Sequence, residues 1–325
     1  MLIGHQKQWN FLRKKFELEK LSHAYLFVGE EQLGKKKLAK EFVKLINCLP
    51  AQAGSGLGQK PCGACKNCQI IERENYPDAL MVSLKSDKQE IEISQIREVL
   101  NFLSYKSYYG SFKVVIIDGA EKMNQEAQSC FLKTLEEPKG KTILILISSH
   151  SEMLLPTILS RCQTIKFYPV SQKEIESHLI KIGAKEKIAQ TLAGFCQGRP
   201  GRAVDLFLNP EKLEKEQKAL QELVKVINSD LAEKFQYTKK INLEGNNLKG
   251  VLEILQRYLR YVLFLKTGAD NLTQQDYFPE VVGNFKNYSV LKIKEILKLL
   301  ETINTQTSLT NASPKLALEI LLMKM

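Results

Sequence analysis

Short apolar runs alternate with longer amphipathic stretches through the first half of the chain. Ala24–Val28 (AYLFV), Ala79–Leu84 (ALMVSL), Lys113–Asp118 (KVVIID) and Thr142–Ile147 (TILILI) have the length and β-branched content of buried strands. Between and around them, residues 6–19, 35–47, 94–105 and 124–137 predict helices. In the last of these, Ala127, Cys130, Phe131 and Leu135 fall on one face, and Pro138 ends the pattern. Strands that alternate with helices in this way predict βαβ units and a mostly parallel sheet.

After Tyr168-Pro169 the pattern becomes helical. Ser171 and Glu174 have the spacing of a capping box, which satisfies the first free N–H groups of a helix. A small helical unit is expected to end near Asn209-Pro210, and apolar periodicity is strong over Val290–Ile303 and Pro314–Leu322. No solenoid repeat or low-complexity tract interrupts it. The expected division is 1–168 (α/β, with a cysteine-rich insertion at 48–68), 169–209 (small, helical) and 210–325 (all-α).

Composition adds limits. A chain of 325 residues with 44% hydrophobic and 26% charged content belongs to the soluble globular class. The net charge of +11 favours a polyanionic partner, nucleic acid before membrane, although a basic solvated surface gives the same number. The N-terminal segment is too charged for a signal peptide, and no apolar run approaches the ~20 residues of a membrane span. A cytoplasmic protein is therefore expected. Its seven cysteines then read as metal ligands or buried thiols rather than disulfides.

Four motifs carry chemistry. In Gly29-Glu-Glu-Gln-Leu-Gly34-Lys35 a strand is followed by a phosphate-loop pattern that opens a helix. The next residue, a hydroxyl that ligates Mg²⁺ in active enzymes, is Lys36. The bland alternative is a glycine-rich turn with an unused lysine cluster. Second, Asp118 ends an apolar strand where P-loop enzymes keep a metal-positioning acid, or it merely caps the turn. The position after it, acidic in active ATPases of the AAA+ type, is Gly119; Glu121 is two residues further on and expected to point elsewhere. Third, Cys48 precedes Cys62-x-x-Cys65-x-x-Cys68, a set suited to closed tetrahedral zinc, with free thiols or an iron–sulfur cluster as alternatives. Gly54, Gly56, Gly58 and Pro61 give the connection freedom to close. Cys130, Cys162 and Cys196 read as small buried residues. Fourth, Arg161 ends a predicted helix after the TILILISS strand. From spacing alone it is a surface salt-bridge residue.

The segments SHAYLFVGEEQLGKKKLA, CGACKNC, IEISQIREV, KVVIIDGAEKMNQEAQSCFLKTLEEP and LLPTILSRCQ occur in that order over about residues 4–205. Together they resemble the delta-prime family of bacterial DNA polymerase III clamp-loader subunits, of the AAA+ superfamily. The connection between Cys48 and Cys62, with AQAGSGLGQ as extra material, is longer than the family usually has, and the last third matches only by length and helicity. The resemblance implies a AAA+ P-loop module, a helical lid and an all-α collar that holds a hetero-pentamer with gamma/tau and delta subunits. It implies a non-hydrolysing stator that supports ATP-driven loading of a sliding clamp onto primed DNA and touches the clamp only indirectly. Such a chain is no enzyme on its own, within a complex that has DNA-directed DNA polymerase activity. Arg161 would be a trans arginine finger for ATP held by the neighbouring subunit. Gly29, Gly34, Lys35, Asp118 and the lid residue Arg202 would form a degenerate nucleotide site whose own ATP binding is in doubt. Arg97 and Lys106 flank the helix that faces the DNA in such assemblies, and phosphate contacts compete there with simple solvation. The rival functions are a catalytic gamma/tau-like ATPase subunit, which Lys36 and Gly119 disfavour, and a stand-alone zinc-containing DNA-binding protein.

Overall fold

Successive side chains on a strand face opposite ways, so a strand buried on both sides must be apolar throughout. The central strands obey this. Tyr25 and Phe27 pack with Val114, Ile116, Ile143 and Ile145 on one face, whereas Ala24 and Leu26 pack with Val115, Ile117, Leu144 and Leu146 on the other. The structure, a computed structural model, describes residues 2–49, 61–85, 88–109, 112–241, 247–268, 288–309 and 313–325.

The elements run α1 (Gln6–Glu17), β1 (Ala24–Val28), α2 (Lys35–Asn47), α3 (Lys66–Glu72), β2 (Ala79–Ser83), α4 (Ile93–Ser104), β3 (Lys113–Asp118), α5 (Gln125–Glu136), β4 (Thr142–Ser148), α6 (Pro156–Arg161), β5 (Gln163–Lys166) and α7 (Gln172–Lys181). Among the described residues the five strands form one parallel sheet in the order β2-β3-β4-β1-β5. Trp9 and Leu12 of α1 and Phe42, Val43 and Ile46 of α2 cover one face. Ile96 and Val99 of α4, with Ala127, Phe131 and Leu135 of α5, cover the other.

The remaining helices are α8 (Glu186–Phe195), α9 (Pro200–Leu208), α10 (Pro210–Ile227), α11 (Leu231–Lys240), α12 (Asn247–Lys266), α13 (Val290–Leu309) and α14 (Pro314–Lys324). Leu220, Leu223, Val224 and Ile227 repeat at helical spacing on α10. They share a core with Leu255, Leu259 and Val262 of α12, Ile293, Ile296 and Leu300 of α13, and Leu318 and Leu322 of α14. By backbone contacts the chain divides into two compact units. One is Met1–His178 with Gln197–Arg202, and the other is Leu179–Cys196 with Ala203–Met325. Residues 169–209 are thus shared between the two. Among the described residues no helix is long and apolar enough to cross a membrane.

Two details differ from the sequence reading. β5 was not expected. It carries one buried apolar residue, Ile165, and pairs as an edge strand with β1, so it has too little pattern to be read. Cys130 and Cys162 are only half-buried, whereas Cys196 is buried as expected. The glycines Gly54, Gly56 and Gly58 of the cysteine connection lie outside the described residues.

The turn after α4 is pinned from two sides. Lys113 donates its ammonium to the carbonyls of Phe102 and Tyr105, serving acceptors that the helix end leaves open. Buried Asp78 accepts the N–H groups of Tyr108 (2.7 Å) and Tyr109 (2.8 Å). Removing that carboxylate strands two donors. Asp78→Ala is therefore expected to cost about 2–4 kcal/mol in urea unfolding; a loss under ~0.5 kcal/mol would contradict this anchoring role.

Candidate functional site

The loop between β1 and α2 is braced mainly through its oxygens. Lys35, the first residue of α2, is buried. Its ammonium donates to the carbonyl of Gly29, to that of Glu30 (2.9 Å), to that of Ser148 at the end of β4 (3.1 Å) and to Ser149 Oγ (3.3 Å). Burial pulls its pKa below the usual lysine value, opposed by the charges of Glu121, Glu31, Asp118 and Glu30. His5 Nε2 donates to the Leu33 carbonyl (2.8 Å), and Gly201 N–H to the Gln32 carbonyl (2.8 Å). Arg199 pairs with Glu30 at 3.0 Å. Gly29 must be glycine for a reason of space: a Cβ there would stand 2.6 Å from the Phe167 carbonyl oxygen.

Lys36 points toward the end of β3. Its Nζ lies 3.3 Å from Oδ2 of Asp118, the last residue of β3. The chain then turns through Gly119, whose φ of +79° disfavours any side chain. Glu121 sits in the short 3₁₀ turn Ala120–Lys122 and is buried. Its Oε1 accepts the Ser149 N–H at 3.2 Å, and its Oε2 has no hydrogen-bond partner among the described residues. Glu121 therefore braces the end of β4 and does not take the place that Gly119 vacates in the pattern.

The four cysteines converge. Sγ atoms of Cys48, Cys62, Cys65 and Cys68 all lie within 4.8 Å of one another. A tetrahedral ion with ~2.3 Å sulfur bonds needs sulfurs ~3.8 Å apart, and Cys62 and Cys68 stand 4.0 Å apart. Backbone N–H groups approach the sulfurs: Cys65 N–H to Cys62 Sγ (3.2 Å), Cys68 N–H to Cys65 Sγ (3.5 Å) and Cys62 N–H to Cys48 Sγ (3.5 Å). Such bonds favour thiolates. The Cys65 N–H helps hold the Cys62 thiol at about 6, while burial pushes Cys68 up, which a divalent cation would reverse. These residues could hold a metal ion. The set is tied to the loop helix, because Cys48 ends α2 and the Asn67 side chain donates to the Asn47 carbonyl at 2.9 Å. Lys37 and Lys44 of α2 pair with Glu72 of α3.

The other expected residues are spread out. Arg161 is the last residue of α6; its side chain is about a third exposed, donating to the Thr157 carbonyl at 3.0 Å and pairing with Glu136 at 2.7 Å. Arg202 is buried. Arg97 lies on the exposed side of α4 and Lys106 is exposed beyond its end. Sequence reasoning missed Ser148 and Ser149, whose oxygens hold Lys35, and missed Asn47. Their signal was faint: a polar pair ending the TILILISS run, and an asparagine directly before the first cysteine.

A five-stranded parallel sheet with a glycine-lysine loop between β1 and a helix has the architecture of a P-loop module. The profile of the family described as "DNA polymerase III, delta subunit" matches residues 4–171. DNA polymerase III subunit delta' of Bacillus subtilis is 32% identical over 275 residues, 83% of this chain and 80% of that protein. The delta' of Pseudomonas aeruginosa is 39% identical over 142 residues, 43% of this chain and 42% of that one. The tau/gamma subunit of Haemophilus influenzae is 32% identical over 187 residues, 58% of this chain and 26% of that protein. The chain belongs to the delta-prime family of DNA polymerase III clamp-loader subunits.

The cysteine geometry makes a direct prediction. Metal analysis of the purified chain is expected to find about one tightly held ion per molecule. Cys68→Ser should lose it and lower the melting temperature by several degrees. A metal-free protein that melts like the variant would contradict the assignment.

Proposed function

We propose that this chain is a non-catalytic stator of the DNA polymerase III clamp loader. In this reading it hydrolyses no ATP itself and places Arg161 against the γ-phosphate of nucleotide held by a neighbouring gamma/tau subunit. The observation that carries it is the Lys36–Asp118 ion pair. The acid that positions a metal ion in active relatives is here neutralised by the chain's own ammonium, and Gly119 offers no base. Arg161 supports the second half. It ends a surface helix, and its partner Glu136 is half exposed, so exchange for a more strongly charged phosphate costs little.

Residues 1–168 serve as the AAA+ module, 169–209 as its lid and 210–325 as a collar that joins a hetero-pentamer with gamma/tau and delta subunits. Exposed Leu316, Ile320 and Met323 form an i, i+4, i+7 stripe on α14, next to α11 with its exposed Leu231 and Phe235, which suits a collar contact. The four cysteines hold structural zinc, since a closed all-sulfur site leaves no position for catalysis. Arg202 serves the lid structurally. Arg97 and Lys106 contact the phosphates of primed DNA without reading sequence, and the sliding clamp is engaged through the assembly. A second reading, a gamma/tau-like ATPase, is favoured by the similarity to the tau/gamma subunit of Haemophilus influenzae and opposed by Lys36 and Gly119.

Reconstitution with gamma/tau and delta companions tests the proposal. Arg161→Ala should leave assembly intact and cut DNA-stimulated ATP turnover and clamp loading by about tenfold or more. Normal loading by the mutant assembly would overturn the trans-arginine role.

A further inference from the structure

The loop keeps its turn, its helix and its first lysine, so the feature that excludes nucleotide can be narrower than a general collapse. The braces on the loop at Lys35, His5 and Gly201 end on acceptor oxygens of Gly29, Glu30, Gln32 and Leu33. A bound phosphate uses donors, not acceptors. These braces take no loop N–H, but the Lys35 ammonium is itself a phosphate donor in active loops and would have to turn from its carbonyls to a phosphate.

Lys36 does compete. In active loops a hydroxyl at this position and the acid at the end of the neighbouring strand share a divalent cation. Here the side chains at those two positions are bonded to each other, Lys36 Nζ to Asp118 Oδ2 at 3.3 Å. An ammonium offers donors and no lone pair, so it satisfies the acid as a cation would while ligating none. Both side chains remain partly exposed, at 45% and 31%, so neither is locked in a packed core and the pair is replaceable without rebuilding the fold.

We propose that Lys36 is a built-in counter-ion that takes the place of the divalent cation at Asp118, and that this side chain denies magnesium–nucleoside triphosphate its cation site at a loop that keeps its turn and its helix. The inference rests on the non-catalytic reading above and adds its cause. It also separates binding from turnover. Restoring the hydroxyl restores affinity but not hydrolysis, because Gly119 still supplies no base.

The test uses the full chain and a fluorescent ATP analogue, read by anisotropy with Mg²⁺ and with EDTA. Wild type should bind weakly and equally in both. Lys36→Thr should bind at least tenfold more tightly with Mg²⁺ than with EDTA, with no turnover. Lys36→Met, which removes the charge without supplying a ligand, should gain no Mg²⁺ dependence. Lys36→Thr combined with Asp118→Asn, or with Lys35→Ala, should lose what Lys36→Thr gained, which places the binding at this loop. Lys36→Ser provides the same hydroxyl should the threonine variant fold poorly. If folded Lys36→Thr and Lys36→Ser both bind as weakly as wild type, the counter-ion role is wrong while the stator reading stands. If wild type itself binds Mg²⁺-ATP tightly and turns it over, the stator reading fails as well.

Discussion

A buried ammonium cannot be left without acceptors, and Lys35 is the ammonium around which the α/β unit is arranged. Its partners come from the end of β1, from the loop and from the end of β4, so one side chain ties two adjacent strands to the start of α2. The residue that serves phosphate in an active loop here serves the backbone. This explains why a glycine-lysine loop is kept with a lysine at position 36: its turn and its buried charge belong to the fold whether or not nucleotide binds.

Fixing the start of α2 also fixes its other end. The helix runs 13 residues to Asn47, and Cys48 follows as the first member of the cysteine cluster. Asn47 is fully buried. Its side-chain oxygen accepts the Phe112 N–H at 3.2 Å before β3, and its carbonyl accepts the Asn67 amide of α3. The cluster is thereby tied to the sheet as well as to α2. At its beginning the same helix aims Lys36 at Asp118. Loop, cysteine cluster and ion pair are three consequences of one helix placement. Arg161 stands apart, at the end of α6 between β4 and the edge strand β5, partly exposed and paired with Glu136.

Much of this was legible in the sequence because the pattern was strong. β1, α2 and β3 begin and end where the apolar runs and the loop glycines put them, and β2, β4, α1, α4 and α5 differ by one or two residues. The cysteine set was legible because two-residue spacing is rare without a shared ion. β5 was not, since one buried isoleucine in four residues makes no period. The direction of Glu121 was read correctly as elsewhere, but its destination, the Ser149 amide, depends on a strand 28 residues away. Nor could the sequence show that Lys36 meets Asp118, 82 positions on, because pairing between a helix start and a strand end is a tertiary fact. The spacing of Arg161 suggested only a surface ion pair. One exists with Glu136, and the wider role assigned to it comes from family membership.

The central claim is that the loop of this chain is a structural brace, with the ATP chemistry located on a neighbour. The most direct measurement is ATP turnover by the reconstituted clamp loader in which only this subunit carries Lys35→Ala, alongside the melting temperature of the isolated variant. Loss of a buried ammonium that holds several carbonyls should lower stability by about 1–3 kcal/mol while the turnover of the folded assembly stays as in wild type. A collapse of turnover in an assembly that is intact and fully folded would contradict the account, because it would make this loop a working nucleotide site.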